Sequence, residues 1–166
     1  GILVRENREA RLRAGALKEM PMALLDTLRI TTVSVAKDRV EATMPITPDL
    51  FQPFGFLHGG ATIALLETVA SIGTEQSTDF DVERPFGIDV HVRHRKSGTA
   101  GLLRGVAELE REEPARSGGV KQFWRVTAFD DEGDVVSDGA IMTKIVPLAR
   151  LEEKARERAA SREQVL

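Results

Sequence analysis

Phe51-Gln52-Pro53-Phe54-Gly55-Phe56-Leu57-His58-Gly59-Gly60, running on through Ala61 to Thr74, is the stretch whose reading decides the fold. Its first part carries Pro53 and Gly55 and closes on His-Gly-Gly, the composition of a tight loop. From 59 to about 77 the residues are small or apolar nearly all round, which marks a buried helix rather than a surface one. One acid interrupts that helix, Glu67, with Ser71 four residues later. A carboxylate among apolar neighbours is costly unless paired or used. A helix start with bare glycine amides offers donors to a developing oxyanion. Together the two features point to acyl chemistry.

Working outward, the flanks read as strands. Residues 28–36 alternate apolar and polar, and 40–46 follow a turn at Asp38-Arg39. Pro45, Pro48 and Pro53 break regular structure up to His58. Four more strands are expected at 86–96, 102–111, 120–130 and 135–146. Gly98-Thr99-Ala100-Gly101 and Asp130-Asp131-Glu132-Gly133 supply turns between them, and 112–119 is a looser connection. A short helix around Pro21 is expected at 20–28. The order is two strands, one buried helix and four strands, an α+β arrangement. An antiparallel sheet wrapped around one central helix, the hotdog architecture, satisfies that burial pattern.

The ends differ in character. Residues 1–18 are rich in Arg and Glu and read as a charged N-terminal extension. Residues 19–147 hold the domain. Residues 148–166 place Glu and Arg at helical spacing and read as a solvated C-terminal helix. No internal repeat is present.

Composition narrows the function classes. The chain has 166 residues, 42% of them hydrophobic, enough for one domain with one core. A formal net charge of −3 gives no general attraction for a nucleic-acid backbone. With no cysteine, thiolate nucleophiles, disulfides and cysteine metal sites are excluded. No apolar run reaches the roughly 18 residues of a membrane span, so a cytoplasmic protein without a membrane partner is expected.

Each candidate site residue has a plainer reading beside the functional one. Gly59 and Gly60 fit a sharp turn into a helix; they also leave donors at the positive end of its dipole. His58 can cap the helix or position a thioester. Glu67 can pair with a strand cation or serve as nucleophile or base, with Ser71 holding it or a water. Gly60, Ala64, Glu67 and Ser71 share one face, whose small residues leave room for a ligand or another backbone. Gln52 alone is an unremarkable loop glutamine. His91 to Lys96 ends a strand with a run of basic groups. Alternation sets His91, Arg93 and Arg95 on one face and His94 and Lys96 on the other, against a shared metal site. The run reads as a solvated edge or as an anion patch.

The stretch Gln52-Pro53-Phe54-Gly55-Phe56-Leu57-His58-Gly59-Gly60, continued by Ala64-Leu65-Leu66-Glu67, resembles the hotdog-fold acyl-CoA thioesterases of the PaaI-like group. Gln122-Phe123-Trp124-Arg125-Val126 and Ser137 to Met142 extend the likeness. The Gln52/Glu67 combination is most similar to the branch of 4-hydroxybenzoyl-CoA (Arthrobacter-type) and 1,4-dihydroxy-2-naphthoyl-CoA thioesterases. The resemblance implies that Gln52 contacts the substrate near the thioester and that His58 precedes the oxyanion-binding glycine. It implies that Gly59 N–H polarises the carbonyl, that Glu67 is nucleophile or general base, and that Ser71 supports it. His94, Arg95, Lys96 and Ser97 fall where a strand-end segment binds the CoA nucleotide. There the family often reads Asn-Phe-x-Arg-Pro, and this chain reads Arg93-His94-Arg95-Lys96-Ser97. No cofactor or metal is implied.

A length argument bears on assembly. Gly59 and Glu67 are eight residues apart, about 12 Å along a helix axis. Both must come within roughly 3 Å of one carbonyl. A two-fold dimer that sets one subunit's helix start beside the other's Glu67 meets this need. The resemblance likewise implies active sites at a homodimer interface, with dimers pairing into a homotetramer. The expected activity is hydrolysis of an aromatic acyl-CoA to free acid and CoA. The alternatives are a hotdog dehydratase acting on hydroxyacyl thioesters and a non-catalytic acyl-CoA-binding module.

Overall fold

The structure, a computed structural model, describes residues 23–116 and 118–163. The charged opening at 1–18 lies outside them, as does the first part of the helix expected at 20–28. What is described there is α1 (Leu24–Thr27), a single turn. β1 (Thr31–Val35) and β2 (Arg39–Pro45) form a hairpin. A 3₁₀ turn, Pro48–Leu50, leads into the proline-rich loop. Then follow α2 (Gly59–Glu75), β3 (Glu83–His94), β4 (Leu102–Pro114), β5 (Val120–Phe129), β6 (Val135–Pro147) and α3 (Leu148–Glu163).

The six strands make one antiparallel sheet in the order β1-β2-β4-β5-β6-β3. It wraps around α2, the hotdog arrangement of the α+β class. α2 buries Leu65, Leu66, Val69, Ala70 and Ile72. β2, β5 and β6 turn residues inward to meet them: Val40, Ala42 and Met44 from β2, Trp124, Val126 and Ala128 from β5, Ile141 from β6. Burying each large side chain contributes about 1.5–3 kcal/mol.

Trp124 shows how closely helix and sheet meet. Its indole lies against Gly73, where any larger side chain would collide with the ring. Its Nε1–H lies 3.2 Å from both Thr74 Oγ1 and Thr143 Oγ1, and those two hydroxyls are 2.6 Å apart. Thr74 Oγ1 also donates to Ala70 O. The buried polar groups at this point are therefore satisfied.

β3 begins three residues earlier than expected, because Pro85 is no obstacle there. β3 is a sheet edge, paired on one side with β6, and proline is tolerated where no ladder donor is needed. β4 runs to Pro114 for a similar reason. Its pairing with β2 ends at Glu108, and beyond it only β5 remains. α3 covers most of the expected C-terminal helix and is mostly exposed; Arg150 pairs with Glu153 on its surface. Among the described residues no helix is long and apolar enough to cross a membrane.

Candidate active site

The loop before α2 is clamped at both ends. Leu57 N–H donates to Gly98 O and His58 N–H to Leu50 O, each at 2.8 Å. Inside it, Gln52 N–H donates to Phe56 O at 2.8 Å and Gly55 N–H to Gln52 O at 3.1 Å. Gly55 takes φ +87°, a conformation that favours glycine. Gln52 Oε1 accepts from Phe54 N–H at 2.6 Å, so its carbonyl closes the turn while its NH₂ faces elsewhere.

His58 is the N-cap of α2. Its Nδ1 accepts from Gly60 N–H at 2.9 Å, so its Nε2 carries the proton of the neutral ring. Ala61 N–H bonds His58 O. Among the described residues nothing accepts from Gly59 N–H. The cap thus satisfies Gly60 and leaves the Gly59 amide as a donor at the positive end of the helix dipole.

Glu67 lies two turns further along α2 and is half-buried. Its carboxylate rests against β3: a Cβ built on Gly87 would lie 2.5 Å from Glu67 Oε1. Among the described residues no cation or hydrogen-bond donor holds it. Ser71, one turn on and half-buried, makes no bond to it either.

β3 serves the helix start as well. A Cβ on Gly59 would lie 2.6 Å from His94 Nε2, so the imidazole fills the place of residue 59's missing side chain. His94 Nδ1 is 2.8 Å from Ser137 Oγ on β6. His94, though exposed, thus lies against the first turn of α2.

The neighbouring cations are already engaged. Arg95 Nε donates to Asp138 Oδ2 at 2.9 Å. Lys96 Nζ donates to Asp130, Asp134 and Glu132 at 2.6, 2.8 and 3.3 Å. Those three carboxylates converge as metal ligands do, and the ammonium fills their centre. The hydrogen bond to Asp130, then that to Asp134, holds Lys96 well above the usual ammonium range. The same bond holds the Asp130 carboxyl below its ordinary value. Ser97 is exposed. On the opposite sheet face a depression of about 700 Å³ is lined by His91, Arg93, Arg125 and Asp138, away from Glu67 and Gly59.

Two residues given no role at the site by the sequence reading shape this region. Gly87 gives Glu67 its seat; a glycine inside a strand is a recognised sign of close approach. Ser137 reaches His94 only through the β3–β6 register, which a single sequence does not display.

Residues 54–137 match the family model described as the thioesterase superfamily. The chain is 36% identical over 110 residues to the 1,4-dihydroxy-2-naphthoyl-CoA hydrolase of Listeria monocytogenes, covering 66% of this chain and 85% of that one. Among solved structures it is similar to a hypothetical protein of Staphylococcus aureus carrying a Glu-to-Ala mutation. The TM-score is 0.70 at 29% identity, over 76% of this chain and 100% of that one. A second structure of that protein, described as a thioesterase enzyme, carries a Gln-to-Ala mutation fifteen positions earlier in its chain. It matches with TM-score 0.68 and 28% identity, over 75% and 98% of the two chains.

Proposed function

Because this chain belongs to the thioesterase superfamily, we propose that it hydrolyses an aromatic acyl-CoA to the free acid and CoA. That it is a thioester hydrolase follows from the family and its named relatives. The aromatic acyl group is our reading, supported by the naphthoyl substrate in the name of the Listeria relative.

The observation that carries the mechanism is the division of labour at the helix start. His58 takes the Gly60 amide, and the Gly59 amide stays available. Gly59 N–H binds the thioester oxygen and stabilises its developing charge. Gln52 and His58 place the carbonyl. Glu67 either attacks the carbonyl carbon or takes a proton from the water that does; the C–S bond then breaks and CoA leaves as the thiolate. Ser71 supports the carboxylate or that water. Gln52 and Glu67 are fifteen residues apart, the same spacing as the pair mutated in the Staphylococcus protein.

One chain does not bring these groups to one carbonyl. Glu67 meets β3 at Gly87, whereas Gly59 meets it at His94, seven residues on. At about 3.3 Å per residue those two points lie roughly 23 Å apart along β3. β3 is also a long open edge, and it exposes Phe86 and Ile88 at 45% and 46%. Such an edge invites a second strand. A two-fold axis crossing β3 near Val90 or His91 sets Gly87 of one subunit level with His94 of the other. Glu67 of one chain then faces Gly59 of its partner, and a homodimer carries two composite sites. Pairing of dimers into a tetramer remains part of the proposal.

The strand end Arg95 to Ser97, with Arg93 beside it, is our candidate for the CoA nucleotide, on altered terms; His94, expected with them, lies against Gly59 instead. A phosphate reaching Arg95 or Lys96 must displace a carboxylate, whereas Arg93 has no ion-pair partner among the described residues. The lack of cysteine fits a cytoplasmic setting.

The test is release of free CoA, read with a thiol reagent, across a panel of aryl- and alkyl-CoA esters. Fastest turnover on an aryl ester supports the proposal. Preference for alkyl esters overturns the aromatic assignment, and no CoA release with a hydroxyacyl-CoA dehydrated instead overturns hydrolysis.

A further inference from the structure

We propose that Ser137 is a positioning residue of the active site, whose hydroxyl holds His94 so that the His94 Nε2–H is a second donor to the thioester oxygen. The proposal rests on the hydrolase reading, which puts that oxygen at Gly59 N–H.

Both nitrogens of His94 have assigned surroundings. Nδ1 lies 2.8 Å from Ser137 Oγ, and Nε2 lies against Gly59. His94 and Ser137 are directly opposed in the β3–β6 register, so two backbones fix the pair. Ser137 is fully buried, and a buried hydroxyl needs a partner. Among the described residues that partner is His94.

The direction of the bond follows from what Nε2 faces. It sits at the positive end of α2, next to an unengaged N–H. Among the described residues no group donates a hydrogen bond to Nε2. If Ser137 O–H donates to Nδ1, the proton of the neutral ring sits on Nε2. Nε2–H and Gly59 N–H then converge on one acceptor, the arrangement an oxyanion requires. The same contact explains why residue 59 is glycine: a side chain there would expel the imidazole.

The experiment combines kinetics on the intact protein with ¹⁵N spectroscopy of its histidines. Loss of one oxyanion donor lowers kcat by about a hundredfold or more. We expect that from His94→Ala, with about a tenfold loss from Ser137→Ala and KM little changed in both. Ser137→Ala should add nothing in the His94→Ala background, because the serine acts only through the ring. In the wild type, His94 should show the Nε2–H tautomer, identified by the signal that His94→Ala removes. An equal kcat loss from Ser137→Ala in both backgrounds overturns the proposal, as does an unchanged kcat in the single variant. An Nδ1–H tautomer in the wild type also overturns it, and this readout does not depend on turnover. If the wild type cleaves no thioester, the hydrolase reading fails with it, and the ¹⁵N result alone reports whether the Ser137–His94 bond was assigned correctly.

Discussion

Glu67 Oε1 occupies the space that a side chain on Gly87 would fill; a Cβ there would lie 2.5 Å away. The acid of the central helix is thus seated on the open edge strand, at its bare position. That places the carboxylate at the edge where the proposed second subunit would dock.

Gly87→Ala tests this seat. Residue 87 is exposed and the added methyl meets little except the carboxylate, so the melting temperature should barely move. Displacing Glu67 should lower kcat by between about tenfold and a hundredfold, since a misplacement of about 1 Å can cost roughly a hundredfold. Unchanged turnover would show that Glu67 works from another position.

Glu67→Gln keeps the shape and removes the charge. Turnover should drop by about two orders of magnitude or more, with KM changing less. Ser71→Ala should cost far less. Near-normal kcat in Glu67→Gln removes Glu67 from the chemistry.

The composite site predicts complementation. Glu67→Ala subunits and Gly59→Pro subunits, each inactive alone, should form heterodimers with one intact site of two. Proline deletes the N–H that the site requires. Verified heterodimers without recovered activity would place both groups within one chain.

Lys96 should matter more for stability than for binding. Lys96→Met unties the 130–134 turn, so it should lower the melting temperature at neutral pH while KM for acyl-CoA stays nearly constant. Asp130 is held below its ordinary 3.8, so its contribution is present above that pH and is lost as pH falls through the folded value. Lys96 is held above 10.5, so its contribution is complete below that pH and fades only in stronger alkali. The gap between variant and wild type should be widest between about pH 5 and 10 and should close in acid as Asp130 takes up its proton. A KM that rises while stability is unchanged would return Lys96 to the nucleotide.

The buried helix, its lone acid, the loop before it and the alternating strands were all legible along the chain, because each is a local pattern. Hydrophobic period, glycine and proline punctuation and a charge in an apolar run need no distant partner to be read. The resemblance carried by residues 52–67 drew its force from the same local run. Strand limits were read less well: Pro85 and Pro114 look like breakers, and only the sheet order shows that their open sides make them harmless. The basic strand end looked like an anion patch in one dimension. Folding brings Asp130, Glu132, Asp134 and Asp138 onto it from over thirty residues away. Gly87 under Glu67, His94 over Gly59 and Ser137 behind His94 likewise exist only through strand register and helix packing. The sequence by itself determined which segments must be buried and which residue types can do acyl chemistry. Tertiary structure decided which charges are spent on one another and which are left to act, because pairing energy depends on distances that chain order does not encode.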